Sequence, residues 1–284
     1  INILTDASSE KSSTEISNAL GSYNTRKHTV KFSTGKINDV FEVAGRLSQI
    51  KSDGYVDRAF SDLNSYFLQG TYNSNGTLLK ALVFGGHEKT YQSWEGLTQE
   101  QLKENRRQNP YTYDNEIDNY KQDHYQLHWN QKIDQNWSTN LGLNYTYGRG
   151  YFEQFRTDDN VSTYGGIVDA TGVDFYGTPV TDLIRRRWLD NDYYVMNATA
   201  NYRDAKLDLI FGGSFSTYDG DHFGEVIWAK QFAENASIRD RYYFGNGKKT
   251  DFSVFAKANY TLNSKIDIFG DLQLRNVGYK TSGL

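Results

Sequence analysis

Apolar and polar side chains alternate along most of this chain with a period of two residues, the pattern of strands whose two faces meet different surroundings. The clearest run places four apolar residues on one face: Tyr125, Leu127, Trp129 and Ile133. The next run does the same with Trp137, Leu141, Leu143, Tyr145 and Tyr147. Similar segments begin near residues 13, 25, 41, 62, 77, 191, 207, 252 and 266. The pattern predicts about eleven strands.

The connections between these segments fall into two classes that take turns along the chain. Short ones, rich in Gly, Asn, Asp or Ser, lie at 35–38, 74–76, 134–136, 204 and 263–264. The others grow from 21–24 and 51–61 to 88–120, 150–190 and 218–248. Because the classes alternate, all long connections leave from one end of the sheet. This favours a transmembrane β-barrel with short periplasmic turns and long extracellular loops. A soluble or adhesive all-β module is the alternative, and it requires a second sheet over the apolar face.

Composition excludes one class of membrane protein and is neutral on most others. The mean hydropathy is −0.73 and charged residues make up 23%, so a helical membrane protein is excluded. Aromatic residues reach 15%, and the predicted strands carry them near both ends, as interfacial belts would. The lower belt would hold Tyr72, Trp137, Tyr202 and Tyr260, and the upper one Tyr125, Tyr145, Tyr147 and Phe215. The net charge of −4 and the lack of a basic face speak against nucleic acid as a partner.

The sequence contains no pattern that supports an enzyme. HExxH, CxxC, GxSxG and P-loop motifs are all missing. His124 and His128 share a predicted strand face, but strand geometry separates them by about 13 Å, too far to share one ion. We therefore predict a non-enzymatic protein with no cofactor, in which these histidines line the barrel lumen.

Three short motifs occur in order in the first quarter of the chain. They begin with Ile1-Asn2-Ile3-Leu4-Thr5, which resembles the strand that ends the plug domain of TonB-dependent outer-membrane receptors. Gly21-Ser22-Tyr23-Asn24-Thr25 resembles the first barrel hairpin of that family. Ser52-Asp53-Gly54-Tyr55 resembles the second loop. Thr90-Tyr91-Gln92-Ser93-Trp94 is similar to the third loop of siderophore receptors of the ferric-citrate type.

The resemblance implies a Gram-negative outer-membrane barrel of about 22 strands, closed by a plug and energised through TonB, ExbB and ExbD. Residues 1–12 would then be the end of the plug and its linker, and 13–284 the N-terminal half of the barrel. The start of the chain lacks a signal-peptide pattern, and we expect it to be part of a longer protein. The implied cargo is a ferric siderophore or similar iron complex. Glycan, haem and cobalamin receptors of the same superfamily are alternatives.

Candidate ligand-binding residues lie in the predicted long loops, where cations and rings suit a flat anionic complex. They are Tyr91, Trp94, Arg106, Arg107, Arg185, Arg186, Arg187, Trp188 and Trp228. The run Arg185 to Trp188 is expected just before a descending strand. Alternatively, these arginines pair with nearby carboxylates or touch lipopolysaccharide phosphates at the outer rim.

Two further features have a structural interpretation. Residues 98–101 read as a capping box that opens a short loop helix through about Arg106. Inward charges are expected to pair with one another or to face water or a plug, because an isolated buried charge is costly. They are Arg46, Lys132, Lys257, Asp267, Asp271 and Arg275.

Overall fold

The computed structural model describes residues 10–283, which form almost entirely β-structure. Twelve strands occur within this range. The first six are β1 (Ser13–Gly21), β2 (Thr25–Ser33), β3 (Phe41–Ser52), β4 (Ser61–Ser74), β5 (Thr77–Tyr91) and β6 (Ile117–Lys132). The others are β7 (Trp137–Asn160), β8 (Gly172–Val173), β9 (Pro179–Arg203), β10 (Leu207–Ala229), β11 (Arg241–Asn263) and β12 (Ile266–Gly283). One helix, α1 (Gln99–Glu104), and a 3-10 turn, Val161–Tyr164, lie in the connections.

Eleven of these strands form one antiparallel up-and-down sheet, and the two-residue β8 pairs with the start of β9. Short connections at 34–40, 75–76, 133–136, 204–206 and 264–265 share one end, which we call the turn end. The longer ones at 53–60, 92–116, 161–178 and 230–240 share the other, which we call the loop end. Among the described residues β1 and β12 each pair with one neighbour, so the sheet is open. The predicted fold class and strand path are confirmed. The motif at residues 1–5 and most of the plug segment 1–12 lie outside the described residues.

The predicted loops 150–190 and 218–248 are wrong in their boundaries. β7 continues to Asn160, β9 begins at Pro179, and β10 and β11 span Leu207–Ala229 and Arg241–Asn263. Much of each predicted loop is therefore strand, and the run Arg185 to Trp188 lies inside β9 instead of before it. The helix begins with the predicted capping box at Thr98 but ends at Glu104, two residues earlier than expected.

An apolar band crosses one face of the sheet, which we call the outer face. Register places Leu79, Trp129 and Leu141 in neighbouring positions across three strands on this face, and Val83, Tyr125 and Tyr145 in another such row. From Trp137 to Tyr145 the band measures about 26 Å along β7, or about 20 Å along a barrel axis at a strand tilt of about 40°. This height fits the hydrocarbon layer of an outer membrane.

The outer face is uncovered, which separates the two fold alternatives. Leu47 is 62% exposed, and many other large apolar side chains of the band are exposed as well. Residues 10–283 contain no second sheet that could bury them. The soluble sandwich interpretation required such a sheet. No helix in the described range has the length and apolar character needed to span a membrane.

The inner face is polar, and three of the six charges expected there form ion pairs: Lys257, Asp271 and Arg275. Lys257 lies 3.4 Å from Asp271, and the Arg275 guanidinium donates to the Asp251 carboxylate with an Nε–Oδ1 distance of 3.0 Å. Gly212 on this face lies opposite Phe255, whose ring covers the glycine so closely that a Cβ there would stand 2.4 Å from Cζ. Glycine at this position allows the ring to lie flat across the neighbouring strand.

Candidate functional site

β7, β9, β10 and β11 continue beyond the apolar band toward the loop end, and their inner face carries one row of side chains at a common height. Phe152 pairs with Arg187, Arg187 pairs with Gly224, and Gly224 pairs with Tyr243. Because Gly224 has no side chain, the Tyr242 and Tyr243 rings lie close over its backbone. Arg187 Nε donates to the Tyr243 hydroxyl oxygen at 3.3 Å. The row is thus a cation flanked by two rings, which we call the Arg187 row.

Aromatic contacts shape the surroundings of this guanidinium. Its carbon lies 5.6 Å from the Phe152 ring centroid and 5.5 Å from that of Tyr243. Trp94, from the third loop, packs edge-on against Phe152 at 5.4 Å and remains 56% exposed. The Arg187 row and Trp94 therefore form an accessible patch at the loop end of the inner face.

Arg187 differs from its two neighbours in what it contacts. The hydrogen bond to Tyr243 raises the pKa of Arg187, so this exposed guanidinium keeps its charge. The Arg185 guanidinium donates to Gln154 Oε1 at 3.0 Å and to the Tyr164 hydroxyl at 3.1 Å. Arg186 donates from Nε to Glu153 Oε2 at 2.7 Å. Among these three arginines, Arg187 alone is exposed on the inner face. Its hydrogen bond to Tyr243 uses Nε, so the other N–H groups of its guanidinium can reach a ligand.

Strand periodicity puts Arg186 and Trp188 on the outer face, opposite Arg185 and Arg187. Trp188 stacks on Phe223 at 5.8 Å and donates from its indole to Glu225 Oε2 at 3.1 Å. Trp228 lies on the same outer face, 6.3 Å from Phe155. The predicted run therefore does not act as one cluster, and the structure does not bring Trp188 or Trp228 to the Arg187 row.

The predicted residues of the third loop divide between exposed and structural positions. Tyr91 is buried and donates from its hydroxyl to the Tyr113 carbonyl at 2.6 Å, so its ring is not free to stack on a ligand. Arg107 donates from Nε to the Tyr55 carbonyl at 3.0 Å and ties the third loop to the second. Arg106 is exposed in the turn after α1.

Buried side chains fasten the base of the third loop to β7. The Gln92 amide donates to the carbonyls of Ile117 and Glu153 at 2.9 and 3.0 Å. Glu116 accepts from the Phe155 amide at 3.1 Å, and burial raises the pKa of its carboxyl above the ordinary value. Trp94 is thus presented from a loop with a fixed base.

A small hydrophobic core packs against the loop-end parts of β9 and β10. Its fully buried members are Tyr164, Leu183 and Val226, and the Tyr242 ring packs on Tyr164 at 4.8 Å. The Tyr164 hydroxyl donates to Asp159 at 2.6 Å. Burial alone would raise the pKa of Asp159, but this hydrogen bond together with Arg156 and Arg185 holds the pKa below its usual value. The core explains why the strands stay ordered above the band.

Below the Arg187 row lies a concave space of about 810 Å³. Most of its lining side chains are neutral and polar, and Lys249, Phe84, Leu143 and Val195 line it as well. His124 and His128 lie there, bonded to Thr146 and Gln126, which confirms their placement on the inner face. Residues 10–283 contain no cluster of three or more His, Cys, Asp or Glu side chains suited to a metal ion.

Sequence reasoning missed Phe152, Gly224 and Tyr243, because each lies in a segment interpreted as loop. The signal available was the extended alternation of 149–156 with 184–189, in which charged and aromatic residues share each face. That alternation does not separate apolar from polar residues, so the pattern does not indicate strands there.

No protein-family model and no curated protein sequence matches this chain. Solved structures do match it. The ferric-catecholate import receptor Fiu from E. coli K12 in its closed form gives a TM-score of 0.64 at 13% identity, over 96% of this chain and 42% of that chain. The ferric citrate transporter FecA gives 0.65 at 12%, over 98% and 40%. The copper transporter OprC gives 0.63 at 11%, over 96% and 39%.

At these identities the likeness establishes the fold, which is that of part of a transmembrane β-barrel. The barrel fold that the resemblance to TonB-dependent receptors implied is thereby confirmed. The chain spans about two fifths of the length of the structures it matches.

Proposed function

We propose that this chain forms part of the barrel wall of a TonB-dependent receptor in a Gram-negative outer membrane, and that the receptor imports an anionic ferric complex such as a ferric siderophore. Import requires no covalent chemistry by the wall. The ligand is held at the loop end, and energy delivered through TonB, ExbB and ExbD moves a plug to open the path.

The Arg187 row is the observation that supports an anionic cargo. A guanidinium between two rings offers a fork of donors to carboxylate or catecholate oxygens, while the rings contact the flat part of the ligand. Glycan sites favour aromatic platforms with Asp or Asn, and no carboxylate stands in this row. Haem and cobalamin remain alternatives that the same assay resolves.

Iron uptake by a bacterial strain from which the gene of this protein is deleted tests the proposal directly. The probes are ⁵⁵Fe-labelled ferric citrate, a ferric tris-catecholate and a neutral ferric hydroxamate, each given as the only iron source. We expect the gene to restore uptake of at least one anionic complex and not of the neutral one. Failure of all three iron probes, with uptake of haem or cobalamin instead, would reject the iron proposal.

Arg187→Gln tests the residue assignment within the same protein. Losing one charge-assisted anchor of about 1.5–3 kcal/mol should weaken binding of the active complex by about tenfold to a hundredfold. Arg149→Gln is the matched control, because Arg149 is a half-exposed arginine on the outer face. Quenching of tryptophan fluorescence by the ferric complex reports binding, since Trp94 lies beside the row. Equal affinity of the two variants would exclude Arg187 as the anchor.

A further inference from the structure

Two tyrosines lie along the inner wall between the Arg187 row and the apolar band instead of pointing into the lumen. The Tyr120 side chain crosses the backbone of β7, where a Cβ at Gly148 would collide with its hydroxyl. The Tyr218 side chain lies along its own strand, where a Cβ at Gly220 would collide with its hydroxyl. Both glycines are buried although they belong to an open face. Each tyrosine therefore rests on glycine and turns one face of its ring to the lumen.

The two tyrosine hydroxyls reach the same height on the wall. Register joins four inner positions across β6, β7, β9 and β10: Gln122, Gly148, Asn191 and Gly220. Because the hydroxyls cover the two glycines, each of these strands presents an amide or a phenol hydroxyl, at intervals of about 4.8 Å. We call this set the amide row, formed by Gln122, Tyr120, Asn191 and Tyr218.

The amide row keeps unused donors and acceptors. The Tyr218 hydroxyl donates to Asn191 Oδ1 at 2.6 Å, which leaves both amide N–H groups of Asn191 and the lone pairs of the Tyr218 oxygen. The Gln122 amide and the Tyr120 hydroxyl have no hydrogen-bond partner within residues 10–283. A ligand hydroxyl both donates and accepts, so it can use every member of the row, whereas a carboxylate only accepts.

The wall around the amide row carries no acidic or basic side chain. From Tyr120 to Asn130 on β6 every inner position is free of Lys, Arg, Asp and Glu, and so are the positions paired with them on β7, β9 and β10. Such residues stand on the flanking strands, with Glu88 on β5 and Lys249 on β11. The members of the row line the 810 Å³ space below Arg187. A neutral ligand therefore fits this part of the wall better than an anion.

Flat rings beside groups that bind hydroxyls suit a pyranose. The C–H face of a sugar packs on an aromatic ring, while its hydroxyls bond to neighbouring amides and phenols. The strand separation of about 4.8 Å is comparable to the length of one pyranose unit. Along β9, Asn191 lies four residues from Arg187, or about 13 Å, so one elongated ligand can contact both rows.

We propose that the amide row is a binding subsite for a neutral sugar unit. Gln122 and Asn191 donate to sugar hydroxyls, and the Tyr120 and Tyr218 rings pack on the C–H face. The sugar belongs to the ferric complex whose anionic part is held by Arg187, and this source of the sugar rests on the proposed function. The contact with the sugar does not, because it uses no charge.

A pair of ferric complexes that differ by glucose tests the subsite. The protein as its gene encodes it, purified from outer membranes in mild detergent, is titrated by calorimetry with a ferric tris-catecholate and with its glucosylated form. The glucosylated complex should bind about tenfold more tightly, the change expected from two further neutral hydrogen bonds. The double variant Q122A/N191A should lose this preference.

N259A/Q273A is the matched control, because Asn259 and Gln273 are exposed amides on the inner face of β11 and β12, away from the amide row. It should keep the preference for the glucosylated complex. The shift in gel mobility on heating verifies that each variant is folded.

Maltotriose, a free neutral sugar, separates the two sources of the sugar. Binding of maltotriose as tight as that of the glucosylated complex, and lost in Q122A/N191A, would keep the subsite and assign it to a free glycan. The same result in a protein that binds neither ferric complex would reject the proposed function and still keep the subsite. Equal affinity for the two ferric complexes, with no binding of maltotriose, would overturn the proposal. An equal loss of preference in Q122A/N191A and N259A/Q273A would overturn it as well.

Discussion

The buried ion pair between Glu153 and Arg186 gives the sharpest test of how the loop end is held together. The Glu153 side chain is 1% exposed, and its Oε1 accepts from the Tyr113 hydroxyl at 2.8 Å and from the Asn115 amide at 2.5 Å. Arg186 supplies the only cation bonded to it in the described chain, at 2.7 Å. Arg186→Gln would leave a buried carboxylate without its counter-charge.

The expected cost follows from the burial of the pair. Removing one partner of a buried pair costs about 3–5 kcal/mol, and the 18% exposure of Arg186 favours the lower value of about 3 kcal/mol. The double variant E153Q/R186Q carries no buried charge and keeps neutral hydrogen bonds, so about 1 kcal/mol is expected. The two changes should therefore couple by about 2 kcal/mol or more. Arg149→Gln breaks a half-exposed pair with Asp190 at 3.4 Å and should cost less than about 1 kcal/mol.

Hydrogen exchange of the amides of residues 113–117 and 153–156 measures this cost, because opening of the third loop exposes them. Arg186→Gln should accelerate their exchange by about a hundredfold, and the double variant should restore most of the protection. Exchange in Arg186→Gln that matches Arg149→Gln would refute the reasoning, and so would additive effects in the double variant.

Two further predictions concern the third loop and the inner face. Burial raises the pKa of Glu116 above 4.5, so between these two values the closed third loop keeps a proton that the opened loop releases. The closed loop is therefore most stable at low pH, and its stability falls as the pH rises through the raised pKa of Glu116. Glu116→Gln should remove this dependence in proteolysis assays from about pH 4 to about pH 7, whereas an unchanged pH profile would contradict it. Gly212→Ala should cost about 1–3 kcal/mol, because its Cβ meets the Phe255 ring at 2.4 Å. A Cβ at Gly70 would have no atom within 4 Å. Gly70→Ala should therefore keep the wild-type temperature at which heating changes the mobility of the folded protein on a gel. Equal losses of stability in the two variants would contradict the packing argument.

The period-two pattern predicted the strands where membrane and lumen impose different demands on the two faces. Tyr125, Leu127 and Trp129 show this, since each meets an apolar neighbour on the outer face. Above the band both faces meet water, and the alternation of apolar and polar residues ends while the hydrogen-bonded ladder continues. For this reason the sequence pattern predicts loops where the upper parts of β7 and β9 lie.

The candidate site was predictable only in part. Residue type pointed to Arg187 and Trp94, and strand periodicity applied to the run Arg185 to Trp188 would have assigned alternate members to opposite faces. The contribution of Gly224 depends on a neighbouring strand and is not encoded locally. Equally, the burial of Tyr91 follows from Tyr113, which lies across the third loop.

The closed base of the third loop has a consequence for how such a protein changes over generations. The Asn109 amide donates to the Gln92 carbonyl at 3.0 Å, and Gln92 is itself bonded to β6 and β7. The two ends of the segment 93–108 are therefore held together at its base by side-chain hydrogen bonds of Gln92 and Asn109. Insertions there add only a slowly growing entropic cost. The sequence of this segment can therefore vary at the loop end while the strands beneath it stay unchanged.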